Sequence, residues 1–115
     1  MNAEDALVLA IRNGVFAGKD GTWSINGKSG RYVVGAKSLF EGEHIKDFKN
    51  AMVSIGSAVG SGRYDAIGLW RDTESGVYYV DANLYFEDLD EALEFGRSRG
   101  EIAIYDIEDD KEIRC

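Results

Sequence analysis

The sequence predicts one α+β domain: an antiparallel sheet with two helices on one face, in ferredoxin-like βαββαβ order, preceded by a short helix and an extra strand. Three observations lead there. Apolar residues recur at helical steps from Ile45 to Val59 and again after Asp88, β-branched and aromatic runs alternate with those stretches, and glycine-bearing turns separate the two patterns. The 115 residues, 44% of them hydrophobic, supply one modest core.

The chain divides into a helix-and-hairpin extension over residues 1–30, a βαββαβ core over 31–107, and a C-terminal turn and tail over 108–115. A short first helix is expected to Asn13, because Glu4 and Asp5 favour its first turn, Leu7, Ala10 and Ile11 share a face, and Gly14 stops it. Thr22–Ile25 and Arg31–Val34 flank the turn-forming run Asn26–Gly30, which predicts a hairpin anchored in the core by Trp23.

Ile45, Phe48, Met52, Ile55 and Val59 then make one apolar stripe, ended by Gly60-Ser61-Gly62. Two strands follow, Tyr64–Arg71 and Val77–Phe86, joined by the turn formers of Asp72–Gly76. The second helix carries every terminal signal: Asp88 as N-cap with Glu91 three residues on, Asp90 in the first turn, Arg97 and Arg99 at the end, and Gly100 beyond. Its buried face is Leu89, Ala92 and Leu93, extending to Phe95 or Gly96. Glu101–Ile107 alternates as a strand, Asp109-Asp110 turns, and Ile113 starts a short return.

Charge is distributed unevenly along this plan. Residues 1–60 carry 7 basic against 6 acidic side chains, whereas residues 61–115 carry 6 against 15, so the net charge of -8 belongs to the C-terminal half. Such a surface repels phosphate backbones and attracts basic proteins. No apolar run approaches the ~20 residues that span a bilayer, and the stretch around Ala6–Ile11 is too short and too acidic for a signal peptide, so the expected setting is the cytoplasm, away from membranes. Cys115 is the only cysteine, which excludes an internal disulfide and a cysteine metal site.

Specific chemistries can be tested against the residues they need. The element order invites comparison with RNA-recognition domains, and Tyr78, Tyr79 and Tyr85 lie on the relevant strand, but its basic lead residue is missing and Asp81 sits in mid-strand, so direct nucleic-acid binding is not expected. Gly14–Lys19 is too short for a phosphate loop, with Asp20 in place of Ser or Thr, and Gly56–Gly62 ends a helix where a dinucleotide fingerprint opens one. His44, the only histidine, has neither a second zinc ligand nor a nucleophile motif to activate. Asp81-Ala82-Asn83 opens like a calcium loop but Phe86 stands where its glycine should be, while Glu108-Asp109-Asp110 offers at most a loose cation contact. The expectation is therefore no enzyme, no cofactor and no metal.

What remains is the acidic surface. Glu87, Asp88, Asp90, Glu91, Glu94, Glu108, Asp109 and Asp110 are the expected partner-binding residues, with the helix acids spaced like a short row of phosphates for a basic groove. The plain alternative for such a run is a solvated face. The reading from another class is a small-ligand or nucleotide-binding domain that uses the open sheet face or the Gly-rich loops.

Val77–Asp81, Asp88–Leu93 and Arg97–Asp106 together show a strand with a central Asp, a capped acidic helix, an Arg-x-Arg-Gly-Glu exit and a strand ending in aromatic-Asp. In these features the chain resembles small acidic proteins of actinobacteria and their phages. That resemblance implies no activity and no catalytic residues. It implies an accessory or phage-encoded role, the class in which small inhibitors of host nucleases and defence complexes occur, and hence a host protein with a basic surface as the partner.

Overall fold

The alternation of Tyr78–Phe86 organises the whole molecule, because its even residues Val80 and Ala82 are buried and its odd residues Tyr79, Asp81 and Tyr85 are only half-buried. In the computed structural model, which describes residues 6, 9–11, 13, 21–43 and 52–115, this strand is β4. The other elements are β1 (Gly21–Ser24), β2 (Tyr32–Gly42), α1 (Met52–Ser61), β3 (Ala66–Arg71), α2 (Leu89–Ser98), β5 (Ala103–Asp106) and β6 (Lys111–Arg114). Residues 6, 9–11 and 13 are helical, and Ile11 is fully buried.

One sheet runs β1-β3-β4-β2-β5-β6 with every neighbouring pair antiparallel. The α+β class and the antiparallel sheet are as expected from the sequence. The specific ferredoxin-like topology is not confirmed: the sheet is a curled one of six strands, with β1 outside β3 and β6 outside β5. Within the segment 108–115, the short return expected at Ile113 is the paired strand Lys111–Arg114, which starts two residues earlier.

The expected hairpin of Thr22–Ile25 with Arg31–Val34 does not form either. Both sides of β2 are taken, one by β4 and one by β5, so β1 crosses to the free edge of β3, where Gly21 lies opposite Leu69 and Ser24 opposite Ala66. The segment after β1 is held across the end of β3 and β4 by the Asn26 side-chain amide, which donates to Asp65 Oδ1 at 2.7 Å, and by Ile25 N–H on the Asp65 carbonyl. Trp23 still packs against the core. Strand β2 is longer than its apolar start suggested; two bulges, at Gly35/Lys37 and Ser38/Phe40, bend it and help the sheet curl.

Helices α1 and α2 cover the same face of the sheet. Ile55 and Ala58 of α1 join Ile67, Leu69, Val80 and Ala82 in one cluster, with Met52 and Val59 packed beside it. Ala92 of α2 joins Tyr32, Val34 and Ile104 in a second cluster, flanked by Leu89, Leu93 and Phe95. Asp88 caps α2 as its position implied, accepting from Glu91 N–H at 3.0 Å, and Gly100 takes φ 72° just after the helix. The expected helix residues Ile45 and Phe48, with His44, lie outside the described residues, as do Leu7 and residues 14–20.

Candidate functional site

The face turned away from the helices is concave and carries polar and aromatic side chains. Register places Trp70 opposite Tyr79, Gly68 opposite Asp81, Ser38 opposite Asp81 on the other side, Gly35 opposite Asn83, and Val33 opposite Tyr85. These positions line a cavity of about 940 Å³, close to the upper end of the range for small-molecule sites.

Curling brings the two margins of the sheet towards each other. Strand β6 is separated from β3 by three strands, yet Arg114 of β6 reaches the loop after β3, with Nη2 3.4 Å from Asp72 Oδ1 and 3.7 Å from Glu74, and its guanidinium 5.9 Å from the ring centre of Trp70. The cavity is a cup strapped across one side. Asp72 is the anchor of the strap: burial pushes its carboxyl up, but hydrogen bonds from Glu74 N–H, the Ser75 hydroxyl and Arg114 outweigh that and hold it below the ordinary aspartate value.

Two glycines keep the floor of the cup low. A methyl group at Gly68 would collide with the Asn83 amide, and one at Gly35 would sit 3.0 Å from a carboxylate oxygen of Glu101. The floor is thereby surfaced by the functional groups of neighbouring strands. Above it Trp70 and Tyr79 stack, their ring centres 5.4 Å apart and their planes 26° from parallel.

Two polar groups that face this cup, Asn83 and Asp81, are not engaged in the fold. Asn83 is 5% exposed, and its amide makes no hydrogen bond among the described residues. No buried side-chain polar atom of the described residues is sealed off without a partner, so the amide opens on the cavity. Asp81 likewise has neither a hydrogen bond nor an ion pair among the described residues. Burial, together with the charges of Glu101 and Glu41 and against that of Arg99, pushes its carboxyl up to about 7. Glu101 is also raised by burial, with Arg99 opposing.

Asp106 shows what a structural carboxylate looks like in the same sheet. It is 1% exposed and accepts from Arg31 Nε at 3.2 Å and Nη2 at 3.1 Å and from the N–H groups of Glu108 and Asp109. The Arg31 hydrogen bonds, against burial, hold Asp106 below its ordinary value.

The residues expected to bind a partner fall into two groups. Glu87, Asp88, Asp90, Glu91 and Glu94 are all exposed on α2 and its approach, though Asp88 is occupied as the N-cap. Glu108, Asp109 and Asp110 are exposed on the β5–β6 turn, where Arg31 pairs with Glu108 at 3.3 Å and Asp109 at 3.3 Å. Since Tyr32 faces both Phe86 and Asp106, the two groups lie at the same end of the sheet. Beside the first group, Phe86 and Phe95 floor a shallow depression of about 330 Å³ bordered by Glu91 and Glu94.

No known protein family matches the chain, and neither does any curated protein or solved structure. Among the described residues, no cluster of three or more His, Cys, Asp or Glu could hold a metal ion, and no helix is long and apolar enough to cross a membrane.

The cup residues were not singled out from the sequence as a site. Asp81-Ala82-Asn83 was legible as an oddity, and the signal in it is two polar residues at i and i+2 on a central strand, bracketed at the same parity by Tyr79 and Tyr85. The contribution of Glu41 and Glu101 needed the register of β2 and the approach to β5, which no local pattern specifies.

Proposed function

We propose that this is a non-catalytic binding domain whose ligand sits in the cup on the concave face of the sheet. The reading is carried by Asn83, a polar side chain that is 5% exposed and has no partner among the described residues, opening on a cavity beside the equally unpartnered Asp81. The amide and the carboxylate open on the cavity and the fold uses neither, so both are available to a ligand placed there. Among the described residues no hydrogen bond joins a nucleophile of the cup to one of its carboxylates, which favours binding over turnover.

The test is a backbone-amide NMR screen of a fragment set balanced among cations, neutral compounds and anions. Shifts concentrated at Val33, Gly35, Asp81, Asn83 and Tyr85 are expected. Hits confined to α2, or none at all, would overturn the assignment.

A second reading rests on the depression beside α2. Glu91 and Glu94 bordering the rings of Phe86 and Phe95 suit a lysine or arginine side chain of a basic protein, such as a nucleic-acid-handling complex, and the domain would then act as an acidic inhibitor or modulator. Lys substitutions at Glu87, Asp90, Glu91 and Glu94 should abolish capture of that partner if this surface docks it, while shifts at the cup persist.

A further inference from the structure

We propose that the ligand of the cup is a small organic cation, an amidinium, guanidinium or ammonium head on an apolar body, with its head at Asp81 and its body against Trp70 and Tyr79. This rests on the cup being the binding site, and it concerns what the site selects.

The charge of the cavity is one-sided. Its lining includes Glu41, Asp81, Glu101, Asp110 and Glu112 and, among the described residues, no Lys, Arg or His. The arginines at its margin among the described residues, Arg99 and Arg114, already have acceptors in the fold. Arg99 donates through Nε to the Gly35 carbonyl at 3.1 Å and lies 3.9 Å from Glu101, and Arg114 is held by Asp72, Glu74 and Glu112. An anionic ligand would meet a lining of carboxylates with no Lys, Arg or His among the described residues, which counts against phosphates and nucleotides.

The polar groups and rings match the other requirements of such a cation. Asp81 accepts from the charged head, the Asn83 amide oxygen supplies a second acceptor, and the stacked Trp70–Tyr79 pair presents aromatic faces, the usual company of organic cations in binding sites. A cavity of about 940 Å³ holds more than a head group, so the ligand has a body. The Arg114 strap makes the space a cup and not a through-groove, which favours a free small molecule over a peptide segment.

Asp81 is faced by Glu41 and Ser38 from β2, Gly68 and Trp70 from β3, its strand neighbour Tyr79, and Glu101 and Arg99 from the approach to β5. A cation arriving there stabilises the ionised carboxylate. Affinity should therefore rise between pH 5.5 and 8, as the free protein gives up the Asp81 proton.

Benzamidine, benzamide and benzoate share a shape and differ in charge, so titrating each into the intact protein, with agmatine and a tri-arginine peptide alongside, isolates the selection. NMR shifts and Trp fluorescence should report benzamidine binding at least tenfold tighter than benzamide, with benzoate weaker still. Asp81→Asn and, independently, Glu101→Gln should each weaken the cations tenfold or more while leaving the circular dichroism spectrum unchanged. Benzamide or benzoate binding at the cup amides as tightly as benzamidine would overturn the charge selection and leave the site standing. A tri-arginine peptide displacing agmatine would replace the small molecule by a basic segment. Cations that bind only at α2, indifferent to both substitutions, would remove the inference and the site together, and silence from the whole panel at millimolar concentration would remove the inference.

Discussion

The two faces of the sheet are built from the same strands and obey opposite rules. Under α1 and α2, the residues of β3 and β4 are aliphatic and packed to exclusion of water, whereas one step along each strand the side chains are polar or aromatic and face the cup. The carboxylates repeat the contrast. Asp106 and Asp72 are each surrounded by donors, and Asp81, on β4 between β3 and β2, has none among the described residues. A charge that serves architecture is satisfied by the chain itself, and one left unsatisfied is available for something outside it.

The helix-covered face should respond most strongly to substitution. Ile55 is fully buried between α1 and the sheet, so Ile55→Ala is expected to cost about 2–5 kcal/mol in denaturant unfolding. A loss below ~0.5 kcal/mol, typical of surface sites, would mean that α1 does not pack where it is placed.

On the concave face the sign reverses. The folded-state value of Asp81, about 7, lies above its ordinary 3.8, so the fold favours the protonated form. The stability this contributes is complete below pH ~4 and is lost as pH rises towards 7, where the folded chain must hold a charge that the unfolded chain solvates. Asp81→Asn should therefore leave stability unchanged at pH 4 and raise it by roughly 2–4 kcal/mol at pH 8. A variant less stable than the parent at pH 8 would show that the carboxylate has a structural partner. Asp72 and Asp106 act in the opposite sense: lowered below 3.8, they stabilise above that value and lose their contribution as pH falls through their folded values, so acid unfolding belongs to them.

The smallest effect separates acids of one helix. Asp88 caps α2 and Asp90 points to solvent, so Asp88→Ala should cost about 1 kcal/mol and Asp90→Ala no more than ~0.5 kcal/mol. Equal losses would put Asp90 in a structural role as well.

Local chemistry made much of this legible. Capping and period placed α2 and its cap at Asp88, turn formers placed the β3–β4 hairpin, and the stripe through Met52, Ile55 and Val59 placed the described part of α1. What escaped was long-range. The pairing of β1 with β3 depends on which strand edges remain free after β4 and β5 have taken β2, and the curl depends on bulges whose positions no propensity announces. The cup inherits that blindness, because it forms only when Gly35, Gly68, Asp81 and Glu101, distant in sequence, converge. The acids of α2 stand out in the sequence because they are close together in the chain.

The most direct measurement is the carboxyl carbon shift of Asp81 followed by NMR from pH 3 to 9. An unpartnered carboxylate crowded by Glu41 and Glu101 in a half-buried cup should titrate with a midpoint near 7, and the midpoint should fall when benzamidine is added. A midpoint near 4, unmoved by the cation, would show an ordinary solvated aspartate and contradict the account of the concave face.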